Sequence, residues 1–271
     1  MDKNLQNKKI QINYRENILS CKKKPSVGIL GIIGAGKSFF AEALAKCLDV
    51  PLFPEPLEEN YLLKLFYENM LKYSFEMQVL LLVRRLNIYR KCNIGLEGGV
   101  CDRTIFEDSI FAQVLNNDGL MRDDQLKVYL ELYTSMMNDV KPLNFMIYLR
   151  VSPEEALKRI KTRGRESEKG ITIDYMKKLY NEYERFVVET SKVSNIIVLD
   201  WESLYNVNDT AEIVAQYLNG KLTKKPTIML DNESLSLHEI KGSSPVELTE
   251  TVLGQPTTPK IDSLSTLSPE F

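Results

Sequence analysis

The stretch Gly31-Ile32-Ile33-Gly34-Ala35-Gly36-Lys37-Ser38 reads G-x-x-x-x-G-K-S, a phosphate-binding loop that works only where a β-strand hands over to an α-helix. Its flanks meet that demand. Val27-Gly28-Ile29-Leu30 is a short apolar run of buried-strand type, and Phe39-Phe40-Ala41-Glu42-Ala43-Leu44-Ala45 has helical spacing and good helix formers. Glycines at 31, 34 and 36 let backbone N–H groups turn toward an anion, and the helix N-terminus adds partial positive charge. Gly31, Gly34, Ala35, Gly36, Lys37 and Ser38 are therefore the candidate cradle for a nucleotide's phosphates, with Ser38 also a candidate Mg²⁺ ligand. The competing reading is a Gly-rich turn with a surface lysine.

From Ser26 onward strand-like and helix-like runs alternate, with strands expected near 26–31, 51–54, 97–102, 144–149 and 195–200. Phe145-Met146-Ile147-Tyr148-Leu149 and Ile196-Ile197-Val198-Leu199 are almost continuously apolar, as strands covered by helices on both faces must be. The fold class is α/β, a parallel sheet with ligands at the carboxyl ends of its strands. Ser152-Pro153-Glu154-Glu155 supplies an N-cap, a first-turn proline and a capping-box glutamate for a helix over 153–164. Residues 1–25 read as a polar extension and 26–220 as one catalytic domain. The stretch 221–271, rich in Ser, Thr, Pro and Lys, reads as a tail, disordered or packed on its own domain or a neighbouring subunit.

A net charge of −2 offers no cationic surface for a nucleic acid, and a small anionic ligand fits better. Cys21, Cys47, Cys92 and Cys101 form no C-x-x-C pair, which points to reduced thiols and away from zinc. The apolar runs are too short to span a bilayer and the N-terminus lacks an apolar signal core, so no membrane association and a cytoplasmic location are expected. The single histidine, His238, lies beyond the last periodic segment. Proton transfer then falls to carboxylates rather than to histidine-based chemistry.

Four constellations bear on that chemistry. Glu55 stands between Pro54 and Pro56 just after the second expected strand, placed either as a base for an attacking hydroxyl or as an exposed loop acid. The third strand ends in Asp102-Arg103-Thr104. Asp102 is a candidate Mg²⁺ ligand and Arg103 a candidate partner for charge developing on a transferred phosphoryl group; a weak surface ion pair is the alternative. On a helix from about Tyr73 to Cys92, Gln78 and Arg85 share a face with Leu81 and Leu82, and Asp108 is positioned to orient Arg85. Such a buried pair needs partners, which either a purine edge or a helix-packing network would supply. Arg159, Arg163 and Arg165 end the capped helix and read either as a phosphate-clamping lid or as a solvated basic face.

The order G-x-x-G-A-G-K-S, P-E-P, Tyr67 and Gln78, D-R-T, then R-G-R followed by Glu168 resembles the deoxyribonucleoside kinase family. The likeness covers about residues 26–219. The stretch 53–60, Asp102-Arg103-Thr104 and Ile147-Tyr148-Leu149-Arg150-Val151-Ser152 are most similar to deoxyadenosine kinases of bacterial type. The resemblance implies a P-loop kinase fold with a five-stranded parallel sheet and an Arg-rich lid. It also implies a homodimer or higher oligomer, and transfer of the γ-phosphoryl of ATP, with Mg²⁺, to a deoxynucleoside 5′-hydroxyl. It makes Glu55 the base, Gln78, Arg85 and Asp108 the readers of the nucleobase, and Tyr67 and Glu168 the holders of the sugar 3′-hydroxyl. Keeping both Arg85 and Asp108 looks like the purine or deoxycytidine readers of the family. The chain departs from the family's animal members in having Asp102 where they have glutamate, and it carries Ser167 in place of a second lid acid.

Deoxyadenosine is thus the expected acceptor. Two other readings compete. A thymidylate-kinase-like monophosphate kinase would need cations, not the acid of P-E-P, beside the acceptor's phosphate. A nucleotide-binding scaffold without catalysis would have no use for Lys37, Glu55 and Asp102 together.

Overall fold

The computed structural model describes residues 24–55, 60–94, 97–138, 140–202 and 207–220, and the strands 228–231 and 234–237. Five strands pair in parallel: β1 (Ser26–Leu30), β2 (Leu52–Phe53), β3 (Gly99–Asp102), β4 (Phe145–Arg150) and β5 (Ile196–Asp200), in the order β2-β3-β1-β4-β5. All five expected strands are present. Every residue of β1 is buried, because the central strand has a neighbour on each edge and a helix layer on each face. The helices are α1 (Lys37–Leu48), α2 (Tyr61–Glu68), α3 (Met70–Ile94), α4 (Asp108–Asn117), α5 (Asp123–Met137), α6 (Pro153–Arg163), α7 (Ile173–Thr190) and α8 (Val207–Leu218).

Local signals set the helix ends. Ser152 Oγ accepts from the Glu155 N–H, Pro153 occupies the first turn, and Gly164 closes α6 at φ 68°, a conformation that glycine adopts without steric cost. Helix α3 begins at Met70, a turn earlier than the apolar pattern indicates. Asn69 caps it: its Oδ1 and carbonyl both accept from the Lys72 N–H, and its carbonyl also accepts from Tyr73. Asn60 caps α2 in the same way, accepting from Leu62. Aromatic packing joins the layers, as where Phe40 of α1 meets Trp201, just past β5, edge to face at 5.2 Å.

The chain leaves β1 toward β2 on one side and leaves β3 toward β4 on the other. A crevice opens at the carboxyl ends of adjacent strands whose connections diverge. The phosphate loop follows β1, Pro54-Glu55 follows β2 and Arg103 follows β3, so three of the sequence motifs meet there. The extension 1–25 and the tail 221–271 lie almost wholly outside the described residues. Within the tail, β6 (Ile228–Asp231) and β7 (Ser234–Leu237) form an antiparallel hairpin, with β6 close to β5. Among the described residues no helix is long and apolar enough to cross a membrane.

Gly28 lets β1 lie against the D-R-T turn. A Cβ there would overlap Thr104 Cγ2 and stand 2.7 Å from Leu143 Cδ1, and Thr104 is buried and β-branched, with little room to give. Gly28→Ala is expected to destabilise by about 1–3 kcal/mol through overpacking, read as a fall in Tm of roughly 2–10 °C. An unchanged melting curve would show that the turn is not packed on the strand in this way.

Candidate active site

The phosphate loop is shaped by close approach. Gly34 sits at φ 80°, and a Cβ on it would lie 2.5 Å from the Ala156 carbonyl of α6, so only glycine admits the lid helix so near. Gly36, at φ 90°, is the N-cap of α1. Lys37 is buried, and its Nζ donates to the carbonyls of Gly31 at 3.0 Å and Ile32 at 2.9 Å. Burial, helped by the Arg103 charge, brings its pKa down to about 8, against the pull of Glu55 and Asp102. Ser38 Oγ donates to Asp102 Oδ2 at 2.5 Å. The other carboxylate oxygen, Asp102 Oδ1, is buried without a partner. Burial raises the pKa of Asp102, and Lys37 and Ser38 oppose the rise. A hydroxyl and a half-satisfied carboxylate beside a phosphate cradle form the donor set that Mg²⁺ takes in nucleotide sites, completed by phosphate oxygens and water.

Glu55 is no exposed loop acid. Its Oε1 accepts from Arg103 Nε at 2.6 Å and Arg85 Nη2 at 2.8 Å, and its side chain is 14% exposed. Burial alone would raise its pKa, but Arg103, Arg85 and Lys37 outweigh burial and hold it at about 2. It is therefore a carboxylate throughout the physiological range. Asp102 and Arg103 are equally far from a surface pair, each 5% exposed. Arg103 sits in left-handed backbone at φ 77°, a conformation that costs a side-chain-bearing residue free energy. Its N–H donates to the Ile29 carbonyl of β1 and its guanidinium lies 4.8 Å from the Phe111 ring centre.

Of the three residues expected to read a base, Arg85 and Asp108 meet each other. Gln78 is buried, with Oε1 unpartnered. Arg85 and Asp108, both buried, form an ion pair through Arg85 Nη1. Since Arg85 also holds Glu55, one guanidinium links Asp108 to the strand-end acid, a connection that spacing on α3 alone does not reveal. Tyr67 on α2 is half-buried. Its hydroxyl is pushed well above the usual tyrosine range, first by burial and then by the charges of Glu168 and Glu55.

The three lid arginines separate. Arg163 Nη2 donates to both oxygens of Glu168, at 2.7 and 2.6 Å, and Arg165 Nη1 lies 3.5 Å from Glu168 Oε1. Arg159 is turned elsewhere. It donates to the carbonyls of Ala35, Trp201 and Glu202 and pairs with Glu155. The single clamp read from the one-turn spacing of Arg159 and Arg163 is thus divided: Arg159 fastens α6 to the phosphate loop, while Arg163 and Arg165 meet the lid acid. The difference arises because carbonyls freed at the loop and at the end of β5 compete for the guanidinium. Pro56, the last residue of P-E-P, and the side chain of Ser167 lie outside what the structure describes.

Two buried side chains were missed in the sequence. Arg103 Nη1 donates to the Tyr183 hydroxyl at 2.6 Å, and Glu107 Oε1 lies 3.5 Å from Arg103 Nη1 while accepting from the Thr104 N–H at 3.1 Å. The i,i+4 spacing of Arg103 and Glu107 was a legible signal for Glu107. Tyr183, 80 residues away on α7, carried none.

The family profile for deoxynucleoside kinase matches residues 27–222. The chain belongs to the deoxynucleoside kinase family. A deoxyadenosine kinase of Dictyostelium discoideum is 37% identical over 192 residues, 70% of this chain and 78% of that one. A deoxyguanosine kinase of the same organism is 33% identical over 183 residues, 66% and 64% of the two chains. A solved structure of deoxyadenosine kinase from M. mycoides with bound dATP superposes with a TM-score of 0.65 at 32% identity, covering 72% of this chain and 99% of that one. This is a deoxynucleoside kinase in fold and family, and the resemblance drawn from the motifs holds.

A lysine can serve as a phosphate partner only while protonated. As pH rises through the Lys37 pKa of about 8 the cation is lost, so kcat/KM for ATP, which reports the free enzyme, is expected to fall up to tenfold per pH unit above that point. A profile flat to pH 10 would show that the charge of Lys37 is not what binds the donor.

Proposed function

We propose that the chain transfers the γ-phosphoryl of ATP to the 5′-hydroxyl of a purine deoxynucleoside, with deoxyadenosine the preferred acceptor. One observation carries this reading: Glu55 is held ionised beside the phosphate loop by two buried arginines, one of which, Arg85, is also paired with Asp108 in the base pocket. An anion there repels an acceptor that already bears a phosphate, which disfavours the monophosphate-kinase reading.

In this reading the cradle of Gly31, Gly34, Ala35, Gly36, Lys37 and Ser38 takes the phosphates of ATP, and Arg163 and Arg165 leave Glu168 to close on them. Ser38 and Asp102 hold Mg²⁺, which when bound neutralises charge on the phosphate oxygens. Tyr67 and Glu168 take the sugar 3′-hydroxyl. Glu55 accepts a hydrogen bond from the 5′-hydroxyl and orients it in line. A carboxylate of pKa about 2 is a poor base toward a free alcohol. In a loose phosphoryl transfer, however, the alcohol becomes strongly acidic only as its bond to phosphorus forms, and the proton can pass to Glu55 at that stage. Arg103, on the other flank of Glu55, is placed to meet charge on the transferred group.

Preference for adenine rests on one acceptor. Gln78 Oε1 is a buried acceptor without a donor. It suits the 6-amino group of adenine, whereas the 6-oxo group of guanine would leave two acceptors facing each other. Turnover measured over the four deoxynucleosides is expected to give deoxyadenosine the highest kcat/KM; a lead for deoxyguanosine or thymidine would overturn the assignment of the acceptor.

Glu55→Gln keeps the shape of the side chain but cannot take the proton. It is expected to lower kcat by roughly a hundredfold or more, with both KM values changed by only a few-fold. A variant turning over at more than a tenth of the parent rate would remove Glu55 from the role of base.

The reading also includes a homodimer, for which the packed pair α3 and α5 offers the exposed Val83, Val128 and Leu132. It places the protein in the cytoplasm, in keeping with Cys47, Cys92 and Cys101 standing outside any disulfide.

A further inference from the structure

Arg103 has more anions around it than one cation can satisfy. Its Nε is committed to Glu55 at 2.6 Å and its Nη1 to the Tyr183 hydroxyl at 2.6 Å, with Glu107 Oε1 at 3.5 Å from the same nitrogen. Glu107 and Tyr183 are fully buried, and the Tyr183 hydroxyl and the Glu107 carboxyl also contact each other. This group is rigidly framed. The ring of Tyr183 stacks on Tyr148 with centres 6.0 Å apart and meets Phe111 edge-on at 6.2 Å, and Phe111 in turn lies against the Arg103 guanidinium. Glu107 accepts from the Thr104 N–H, pinning the residue next to the left-handed Arg103. Capping that N–H needs only a neutral acceptor. A carboxyl group that burial pushes upward against the pull of Arg103 and Lys37, with a second buried oxygen, Oε2, left unpartnered, is more than the turn requires, and such a group is expensive to bury unless it has a task.

We infer that Glu107, with Tyr183, is a positioning residue for phosphoryl transfer: it draws the Arg103 guanidinium away from Glu55, so that the Glu55 carboxylate is shared rather than captured and stays available to the 5′-hydroxyl. A second carboxylate on one guanidinium offsets part of the positive potential that the first would otherwise feel. Without the Glu107 charge, Arg103 and Arg85 close on Glu55 unopposed. The acid then binds the acceptor's proton less well, and the ion pair must loosen before the 5′-hydroxyl is engaged. The inference rests on the reading of Glu55 as the base.

Glu107→Gln separates the charge from the cap, because its amide oxygen still accepts from Thr104. Tyr183→Phe removes the hydroxyl on Nη1 and keeps the ring stack. In the full-length chain, Glu107→Gln is expected to lower kcat about tenfold, with KM for deoxynucleoside and for ATP within twofold of the parent. Tyr183→Phe is expected to lower kcat about threefold, with the same two KM values unchanged. Glu107→Asp, which restores the charge but not the reach, should recover part of the loss. A purely structural role would instead appear as a lowered Tm with kcat of the folded fraction intact, and that result overturns the inference, as does an unchanged kcat in Glu107→Gln. Should Glu107→Gln not fold, Tyr183→Phe decides alone: parental kcat overturns the proposal. Glu55→Gln is measured alongside. If that variant loses activity while Glu107→Gln and Tyr183→Phe do not, only the positioning role falls; if Glu55→Gln stays active, the base assignment itself falls.

Discussion

The site depends on a buried balance of charge around one carboxylate. Lys37, Arg85 and Arg103 face Glu55, Asp102, Glu107 and Asp108 at the carboxyl edge of the sheet, all largely withdrawn from solvent. Each of these ions would be costly to bury by itself, and together they are tolerable because Arg85 and Arg103 have carboxylates within contact distance and Lys37 donates to two backbone carbonyls. The count leaves one negative charge in excess. The vacant acceptor nearest the phosphate cradle is Asp102 Oδ1, and a divalent cation arriving with the nucleotide would settle both the excess charge and the unmet oxygen. An arrangement of this kind is fully compensated only when its ligands are bound, which is how binding energy becomes coupled to alignment of the reacting groups.

The sheet makes the cluster possible. Divergence of the chain at β1 and β3 sends the loops after β1, β2 and β3 to one edge, and helices α3 and α4 bring Arg85 and Asp108 in from the side. Close approaches at Gly28 and Gly34 press the D-R-T turn onto β1 and the lid helix onto the phosphate loop. The lid is consequently rooted by Arg159 at its base, while Arg163 and Arg165 at its far end remain on Glu168.

Much of this was legible in the sequence, for definable reasons. A phosphate loop carries its own strand and helix, and apolar runs with capping residues mark the other strands and α6, so sheet class and strand positions follow from periodicity and short-range chemistry. Glu55, Asp102, Arg103, Arg85 and Asp108 were singled out in the sequence, and the structure gathers them at one edge; Gln78, singled out with them, is buried on α3. Pairwise commitments across the fold were not legible. Neither the bond from Arg103 to Tyr183 nor the turn of Arg159 toward carbonyls at Trp201 and Glu202 has a local signature, because the partners lie tens of residues apart and meet only after the layers pack. The start of α3 was missed for a smaller reason: Asn69 caps it ahead of the apolar stripe.

The central claim is that Glu55, ionised and shared between two guanidinium groups, is the group that receives the acceptor's 5′-hydroxyl. A crystal structure of the protein with deoxyadenosine and a non-hydrolysable ATP analogue tests this directly. The account predicts the 5′-oxygen within about 3 Å of a Glu55 carboxylate oxygen, with Arg85 and Arg103 still in contact with that carboxylate and the base lying against Gln78. A 5′-oxygen held by other groups, with Glu55 closed off between its arginines, would contradict it.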